Sequence, residues 1–359
     1  MEQKIFVGVD LHKDQFTICI LKDGKVLEEG TKYELNKDGY RNFIAMIKEL
    51  SYSTGYEEVV LAIESTTNSR YFKDIMVRQG FRVEVVNTLR FKVVNQSTKK
   101  TDKNDARTLA EFLSRDILPT SHLCSAETEG LRRVLKTRNL MVRDVVALKN
   151  QAHAVLSAYG IITKTAEFQS RKERESVLAR LPVKAALPVG IIFGTIDAVE
   201  KQKKVLESRL RVITEKDHTV GLLMTIPGVG IVNACTIRAY IDDIDRFETY
   251  KNFSAYCGLV PWVQSSNETA YYGRITKRGP QELRTALVQC VVAMVRMENK
   301  TGDFGIIRQY HELKDSKNSG KAIIATARKL SRIIYMMLKT DSTFNSARAI
   351  GHSALPEGA

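Results

Sequence analysis

KIFVGVDLHKDQFTICILKDGKVLEEGTKYEL, Lys4 to Leu35, decides how the first third of this chain folds. KIFVGVDLH and DQFTICILKDG are rich in β-branched and aromatic residues and are parted by polar ones, so each reads as a strand. Asp23-Gly24 reads as a hairpin turn into KVLEEGTKYEL. Three strands joined in this way make a meander. Downstream the period changes. RNFIAMIKEL is helical, and the apolar run of EEVVLAIES suits a strand buried on both faces. RYFKDIMVRQG follows as a helix, FRVEVVN as a strand and DARTLAEFLSRD as a helix. A meander followed by alternating helices and strands is the ribonuclease-H-like order. Residues 1–120 are therefore expected to form an α/β domain of that kind.

Residues 121–217 change character and read as almost wholly helical. Leu131, Val134, Arg138, Met141, Val145, Leu148, Ala152 and Val155 recur at alternating spacings of three and four, a coiled-coil seam interrupted by Arg138. A second helix, about Ile191 to Glu215, is expected either to pair with the first in one chain or to join an oligomer. RLPVKAALPVG, with Pro182 and Pro188, reads as the break between them. Residues 218–345 form a third, mainly α region. It opens with LLMTIPGVGIVNACTIRAYI, where Pro-Gly-Val-Gly between amphipathic stretches fits a helix-hairpin-helix. There Gly228 and Gly230 would let the backbone approach a phosphate at a helix start. Any tight turn between helices can use the same residues. Residues 346–359 read as a flexible tail.

The chain has 359 residues, room for two or three cores, with a formal charge of +14. That surplus favours a polyanionic partner, nucleic acid being the commonest. No run of about 18 apolar residues occurs, so no membrane span is expected. The start, MEQKIFVGVD, lacks a signal-peptide layout. The five cysteines are scattered without a CxxC pair, which disfavours a zinc site or a disulfide framework and points to a reducing cytoplasm.

Four carboxylates stand out. Asp10 ends the first strand and Glu64 ends AIES. Asp102 and Asp105 lie three apart in KKTDKNDARTLA and share one face if that segment is helical. Singly, each has a structural explanation: a strand end, a helix cap, a favourable charge in a first turn. Together they read differently. In a ribonuclease-H-like sheet the ends of the first and fourth strands are adjacent, and a following helix can cross them. Four carboxylates converging there repel one another unless cations neutralise them. Oxygen-only ligation suits Mg²⁺ or Mn²⁺, and a pair of such ions can organise phosphoryl transfer. Lys99, Lys100, Lys103 and Arg107 flank the aspartates, as suits a site that receives a polyphosphate; charge pairing on a helix surface is the alternative. His12, beside Asp10, is expected to be a strand-end surface residue.

These segments resemble the DEDD-motif transposases of bacterial insertion sequences, the insertion-sequence-110 family, which includes Piv-type DNA invertases. The likeness lies in VGVDLHKD, AIEST and VVNTLRFKVVNQSTKKTDKNDARTLAEFL, and then in IPGVG, RFETYKNFSAYCGLVP and GRITKRGPQELRTALV. The resemblance implies a RuvC-like N-terminal domain, a coiled-coil middle and a C-terminal transposase domain. It assigns the four acidic positions to Asp10, Glu64, Asp102 and Asp105. It also implies a catalytic serine a few residues after GL-x-P, which falls at Ser266, with Ser265 beside it. Where the family commonly has glycine after that serine, this chain has Asn267, a residue that tolerates the left-handed conformation. The resemblance further implies a noncoding guide RNA, with donor and target DNA as substrates; a dimer or tetramer is expected if the two halves act across subunits. Arg274, Lys277 and Arg278 would contact phosphate, from a helix start if Ile275 to Arg278 begins one.

Three rival readings use part of these features. A metal-dependent nuclease or junction resolvase needs the carboxylates but gives Ser266 no role. A non-enzymatic nucleic-acid binder explains the charge but not the carboxylates. A site-specific invertase of the same family differs from a transposase only in the DNA it acts on.

Overall fold

The computed structural model describes residues 4–55, 58–88, 90–91, 101–266, 269–301 and 305–345. The chain divides into two compact units, Met1–Leu123 and Cys124–Ala359. No helix among the described residues is long and apolar enough to cross a membrane.

The first unit is built on one mixed sheet. Strands β1 (Lys4–Leu11), β2 (Gln15–Lys22) and β3 (Lys25–Glu34) form the meander, and β4 (Glu58–Glu64) and β5 (Arg82–Val86) add to the other side. The order is β3-β2-β1-β4-β5, with β1 antiparallel to β2 and parallel to β4. This is consistent with the ribonuclease-H-like arrangement read from the strand order. Asp23 and Gly24 both take positive φ, as the hairpin turn requires.

The alternation of strand residues assigns the two faces. Ile5, Val7, Val9, Phe16, Ile18 and Ile20 are buried with Phe43 and Ile47 of helix α1 (Lys37–Thr54) and Phe72 and Met76 of α2 (Ser69–Arg78). The opposite face carries Cys19, Leu21 and the partly buried Phe6, packed with Ala106 and Ala110 of α3 (Asp102–Ser114). Gly8 sits in the middle of that face. A β-carbon there would lie 1.9 Å from the Ala106 carbonyl oxygen and 2.6 Å from the Ala110 nitrogen. Helix α3 can approach the sheet this closely only because position 8 has no side chain. Gly8→Ala is expected to lift α3 off the sheet, costing roughly 1–3 kcal/mol as an overpacked core does. Urea unfolding of the two proteins side by side measures the difference.

In the second unit, α4 (Ala126–Ala158) and α6 (Val183–Thr214) are long paired helices. Arg138 pairs with Glu207 at 2.9 Å and Lys149 with Glu200 at 3.9 Å, so partner numbers fall as α4 advances and the pairing is antiparallel within the chain. The Arg138–Glu207 ion pair is what the charged residue in the apolar seam provides for. Val145, Ala152 and Leu156 pack with Phe193 and Ile196, with Phe168 of a short 3-10 turn, and with Val177 of α5 (Arg171–Leu178). The second long helix begins earlier than its expected start near Ile191. Pro182 caps it, and Pro188 lies inside rather than in a break.

Helices α7 (His218–Met224) and α8 (Ile231–Ile241) flank IPGVG, and α9 (Tyr250–Tyr256) follows. Next comes a two-stranded hairpin, β6 (Pro261–Ser266) and β7 (Thr269–Ile275). It lies in a region read from the sequence as mainly α. Helices α10 (Gln281–Thr301), α11 (Gly305–Ser316) and α12 (Ser319–Lys339) complete the unit. Leu223, Ile237, Phe253, Leu287, Met294 and Leu330 share its main core.

All five cysteines are buried, and none forms a disulfide. Burial pushes the Cys19 thiol up to about 11 and the Cys290 thiol to about 12, and raises those of Cys235 and Cys257 as well.

Candidate functional site

The acidic constellation assembles where the face of β1 that bears Gly8 runs out. Residues 8, 10 and 12 share one parity. Asp10 is the next residue on that face after Gly8, and it is 9% exposed. Parallel pairing of Val9 with Ile63 brings Glu64, at the end of β4, alongside Asp10 in the next step of the register. Helix α3 is capped by Thr101, whose side chain accepts from the Asn104 N–H. Asp102 and Asp105 therefore occupy the first turn, where the helix dipole favours negative charge. Because Gly8 seats Ala106 and Ala110 against β1, that first turn is carried over Asp10.

His12 joins them. Its Nε2 lies 3.0 Å from an Asp10 oxygen and 3.3 Å from an Asp102 oxygen. One ligand atom from each of Asp10, His12 and Asp102 falls within 4.8 Å of the others. The residue expected to be a bystander at a strand end thus stands between two of the carboxylates. Strand parity with Asp10 was the signal for it. The backbone fixes its place: the His12 N–H donates to the Gln15 carbonyl in the β1–β2 turn, and Asn68, which precedes α2, donates to the His12 carbonyl. Lys32 on β3 reaches Asp102 at 3.1 Å.

The electrostatics follow from this geometry. Burial raises the Asp10 carboxyl above the ordinary range. His12 opposes that, and the charges of Asp105 and Asp102 add to it. Asp102 is held below the ordinary range by its hydrogen bond from Lys32, with His12 assisting. A buried carboxylate raised by its neighbours and open on one side to solvent is a setting that a cation relieves.

The flanking cations are arranged less simply. Lys103 and Arg107 face Glu29 of β3 at 3.1 and 3.5 Å, and Arg107 also meets Glu111 at 2.8 Å. They tie α3 to the meander through charge pairs. Lys99 and Lys100 lie outside the described residues.

In the second unit, Ser265 pairs with Ala270 and Ser266 with Thr269, so Ser266 is the last residue of β6. Asn267 lies outside the described residues. The hairpin's base is pinned. The Thr276 N–H donates to the Val260 carbonyl and the Lys277 N–H to that of Gly258, while Arg284 donates to the Lys277 carbonyl. Gly279 has φ +107°, and a β-carbon there would fall 1.9 Å from the Tyr256 carbonyl oxygen. No helix begins in 275–278. Lys277 takes φ +53°, a left-handed conformation in which non-glycine residues are strained, and α10 starts only after Pro280. Arg274, Lys277 and Arg278 are all exposed.

At the IPGVG turn, Gly228 has φ +81°, and its missing β-carbon would lie 2.8 Å from the Met294 nitrogen. Packing of the turn on α10 is enough to require glycine there. Gly230 precedes α8 and lines an open groove of about 890 Å³ with Lys136, Arg143, Asn233 and Gln289.

Comparison with known proteins matches the two halves separately and in order. A DEDD transposase family of IS110 type covers residues 7–161, and the transposase IS116/IS110/IS902 family covers residues 220–305. The chain belongs to this transposase family. It is 26% identical to the transposase for insertion sequence element IS1328 of Yersinia enterocolitica, over 96% of this chain and 100% of that one. To the transposase for element IS1111A of Coxiella burnetii it is 24% identical, over 94% and 90%. The pilin gene-inverting protein of Moraxella bovis is 22% identical over 95% and 98%. The transposase is thus a DNA recombination enzyme of a mobile element family whose relatives include DNA-inverting proteins.

Proposed function

We propose that the transposase cuts and rejoins DNA through Ser266, assisted by a divalent cation, Mg²⁺ or Mn²⁺, held by Asp10, Glu64, Asp102 and Asp105. The gathering of Asp10, Asp102 and His12 at the sheet end, with Glu64 alongside, carries this reading. When bound, the cation neutralises the scissile phosphate and lowers the barrier to displacement at phosphorus. The Ser266 hydroxyl attacks phosphorus, and the ester bond to the leaving sugar oxygen breaks. The serine proton ends on that oxygen, leaving a DNA–phosphoserine link. One phosphodiester is exchanged for another, so rejoining needs no ATP. Asp10 and Glu64 are fixed by paired strands, and Asp102 and Asp105 by a capped first turn, which suits them to hold a ligand without reorganising.

Several finer features belong to the same reading: a RuvC-like first domain, a coiled coil formed by α4 and α6, a helix-hairpin-helix at IPGVG, a guide RNA encoded beside the gene, and a working dimer or tetramer. Similarity to a pilin gene-inverting protein across 95% of the chain favours a Piv-type invertase as the second reading. Sequencing the DNA and any RNA bound to the purified transposase separates the two. Inverted sites flanking a single segment would select the invertase, and element ends would select the transposase.

Arg274, Lys277 and Arg278 are assigned to phosphate. A lost phosphate contact flattens the salt dependence of binding by roughly 0.7–0.9 log units per log unit of salt. Lys277→Ala is expected to lower that slope by about one such contact, equally for matched and mismatched DNA, and to lower adduct yield more than affinity. Binding isotherms across a salt series check it. An unchanged slope with unchanged yield would leave Lys277 without a role.

A further inference from the structure

We infer that the β6–β7 hairpin is a stacking platform for unpaired bases of single-stranded DNA. Trp262 is the chain's one tryptophan, and it is 52% exposed; Tyr271 is 66% exposed. The register sets Gln264 opposite Tyr271, alternation along β7 puts Gly273 on the same face as Tyr271, and a register shift between Pro261 and Val263 leaves Trp262 to be placed by its contact with Gly273. A β-carbon on Gly273 would lie 3.0 Å from Trp262 Cε3. The indole therefore rests across the neighbouring strand at the one position with no side chain to lift it. Covering a strand glycine with an aromatic ring is a known stabilising device. It accounts for the inner side of the indole, but not for the outward exposure of the rest or of Tyr271.

The setting identifies the occupant. Arg274 follows Gly273 on β7 and is exposed, and Lys277 and Arg278 come next, on a loop bonded to the Gly258 carbonyl. Aromatic faces interleaved with cations are the chemistry of single-strand recognition: rings stack on bases while cations track the backbone. A base pair inside a duplex hides its faces, so an exposed ring can stack only on unstacked bases. The choice of DNA rests on the reading of Ser266, the last residue of β6, as the nucleophile. Exchange of strands at that serine passes through unpaired DNA, and the platform would grip bases next to the cut.

The lone tryptophan makes the test direct. Full-length transposase is titrated in EDTA with a short oligothymidylate, the matching duplex, oligouridylate, and vesicles containing phosphatidylserine, following tryptophan emission. Saturable quenching by the single-stranded DNA, with little change for the duplex, is expected. Tyr271→Ala and Trp262→Ala should each weaken oligothymidylate binding by roughly 5- to 150-fold, measured by anisotropy, and Trp262→Phe should restore most of the loss. Circular dichroism of each variant confirms folding. Oligothymidylate that binds without quenching, equal quenching by duplex, tighter quenching by oligouridylate, or a response to vesicles alone would each overturn the inference. Ser266→Ala must leave the quenching intact. Quenching by oligothymidylate in a wild type that forms no adduct with labelled element ends in Mn²⁺ would sink the nucleophile assignment, and adduct with those ends but no quenching would sink the platform.

Discussion

Ser266→Ala is expected to abolish the covalent protein–DNA adduct, by at least about a thousandfold, while DNA affinity changes less than about twofold. The asymmetry follows from what one hydroxyl does. Contact with nucleic acid is dominated by cations, and the chain's +14 charge leaves many of them in place. The step at phosphorus, in contrast, has no substitute nucleophile in a methyl group. Ser265→Ala is the control, because it precedes Ser266 in β6 and pairs with Ala270 rather than Thr269. Denaturing gels of protein incubated with labelled element ends in Mg²⁺ or Mn²⁺ give the answer. Adduct retained in Ser266→Ala and lost in Ser265→Ala would move the nucleophile by one residue. Adduct retained in both would return the chain to the water-dependent nuclease reading.

Asp10→Asn is expected to stop strand transfer and, at the same time, to stabilise the metal-free protein. Burial and the charges of Asp105 and Asp102 raise the Asp10 carboxyl in the fold, and His12 only partly offsets them. A raised carboxyl binds its proton more tightly folded than unfolded. Its ionisation therefore costs the fold stability as pH rises through the ordinary carboxylate range, and that cost is fully present at neutral pH. Asparagine never ionises. Metal-free Asp10→Asn should melt above the wild type at neutral pH, with the gap closing as pH falls through the ordinary carboxylate range. Added Mn²⁺ should raise the melting temperature of the wild type and leave the variant unmoved. Asp102→Asn should behave oppositely without metal, because Lys32 holds that carboxyl low and its ionised form is the favoured one. Glu64→Gln and Asp105→Asn are likewise expected to block strand transfer. An Asp10→Asn enzyme that recombines at the wild-type rate would remove the carboxylate cluster from the chemistry.

The first unit was largely legible because its signals are local and agree. Strand alternation, the Asp23-Gly24 turn and the unbroken apolar run of β4 each allow one reading, and together they set the sheet order that brings Asp10 beside Glu64. His12 was missed because its role depends on α3, a helix ninety residues further on, and parity alone does not say what lies above a strand end. The β6–β7 hairpin was missed for another reason. Its serines and Gly273 are turn formers by composition, and only pairing between its own two halves makes them strands. A helix start at 275–278 fails because backbone contacts of Lys277, Gly279 and Arg284 hold that segment in a non-helical path. Propensity along the chain does not register those contacts. Pro188 inside α6 shows the converse, with tertiary packing carrying a helix through a residue that ordinarily stops one.

The burial of every native cysteine has a practical consequence for watching this enzyme at work. Maleimide and spin-label reagents attack thiolates that solvent can reach, and the thiols of Cys19, Cys235, Cys257 and Cys290 are both enclosed and held protonated. An introduced cysteine on the surface would then be the group that reacts. One label near the end of β1 and another on the β6–β7 hairpin would make a distance reporter without first stripping the native residues. Changes in that distance as cation and DNA are added would show whether the carboxylates and Ser266 come together before the strand is cut.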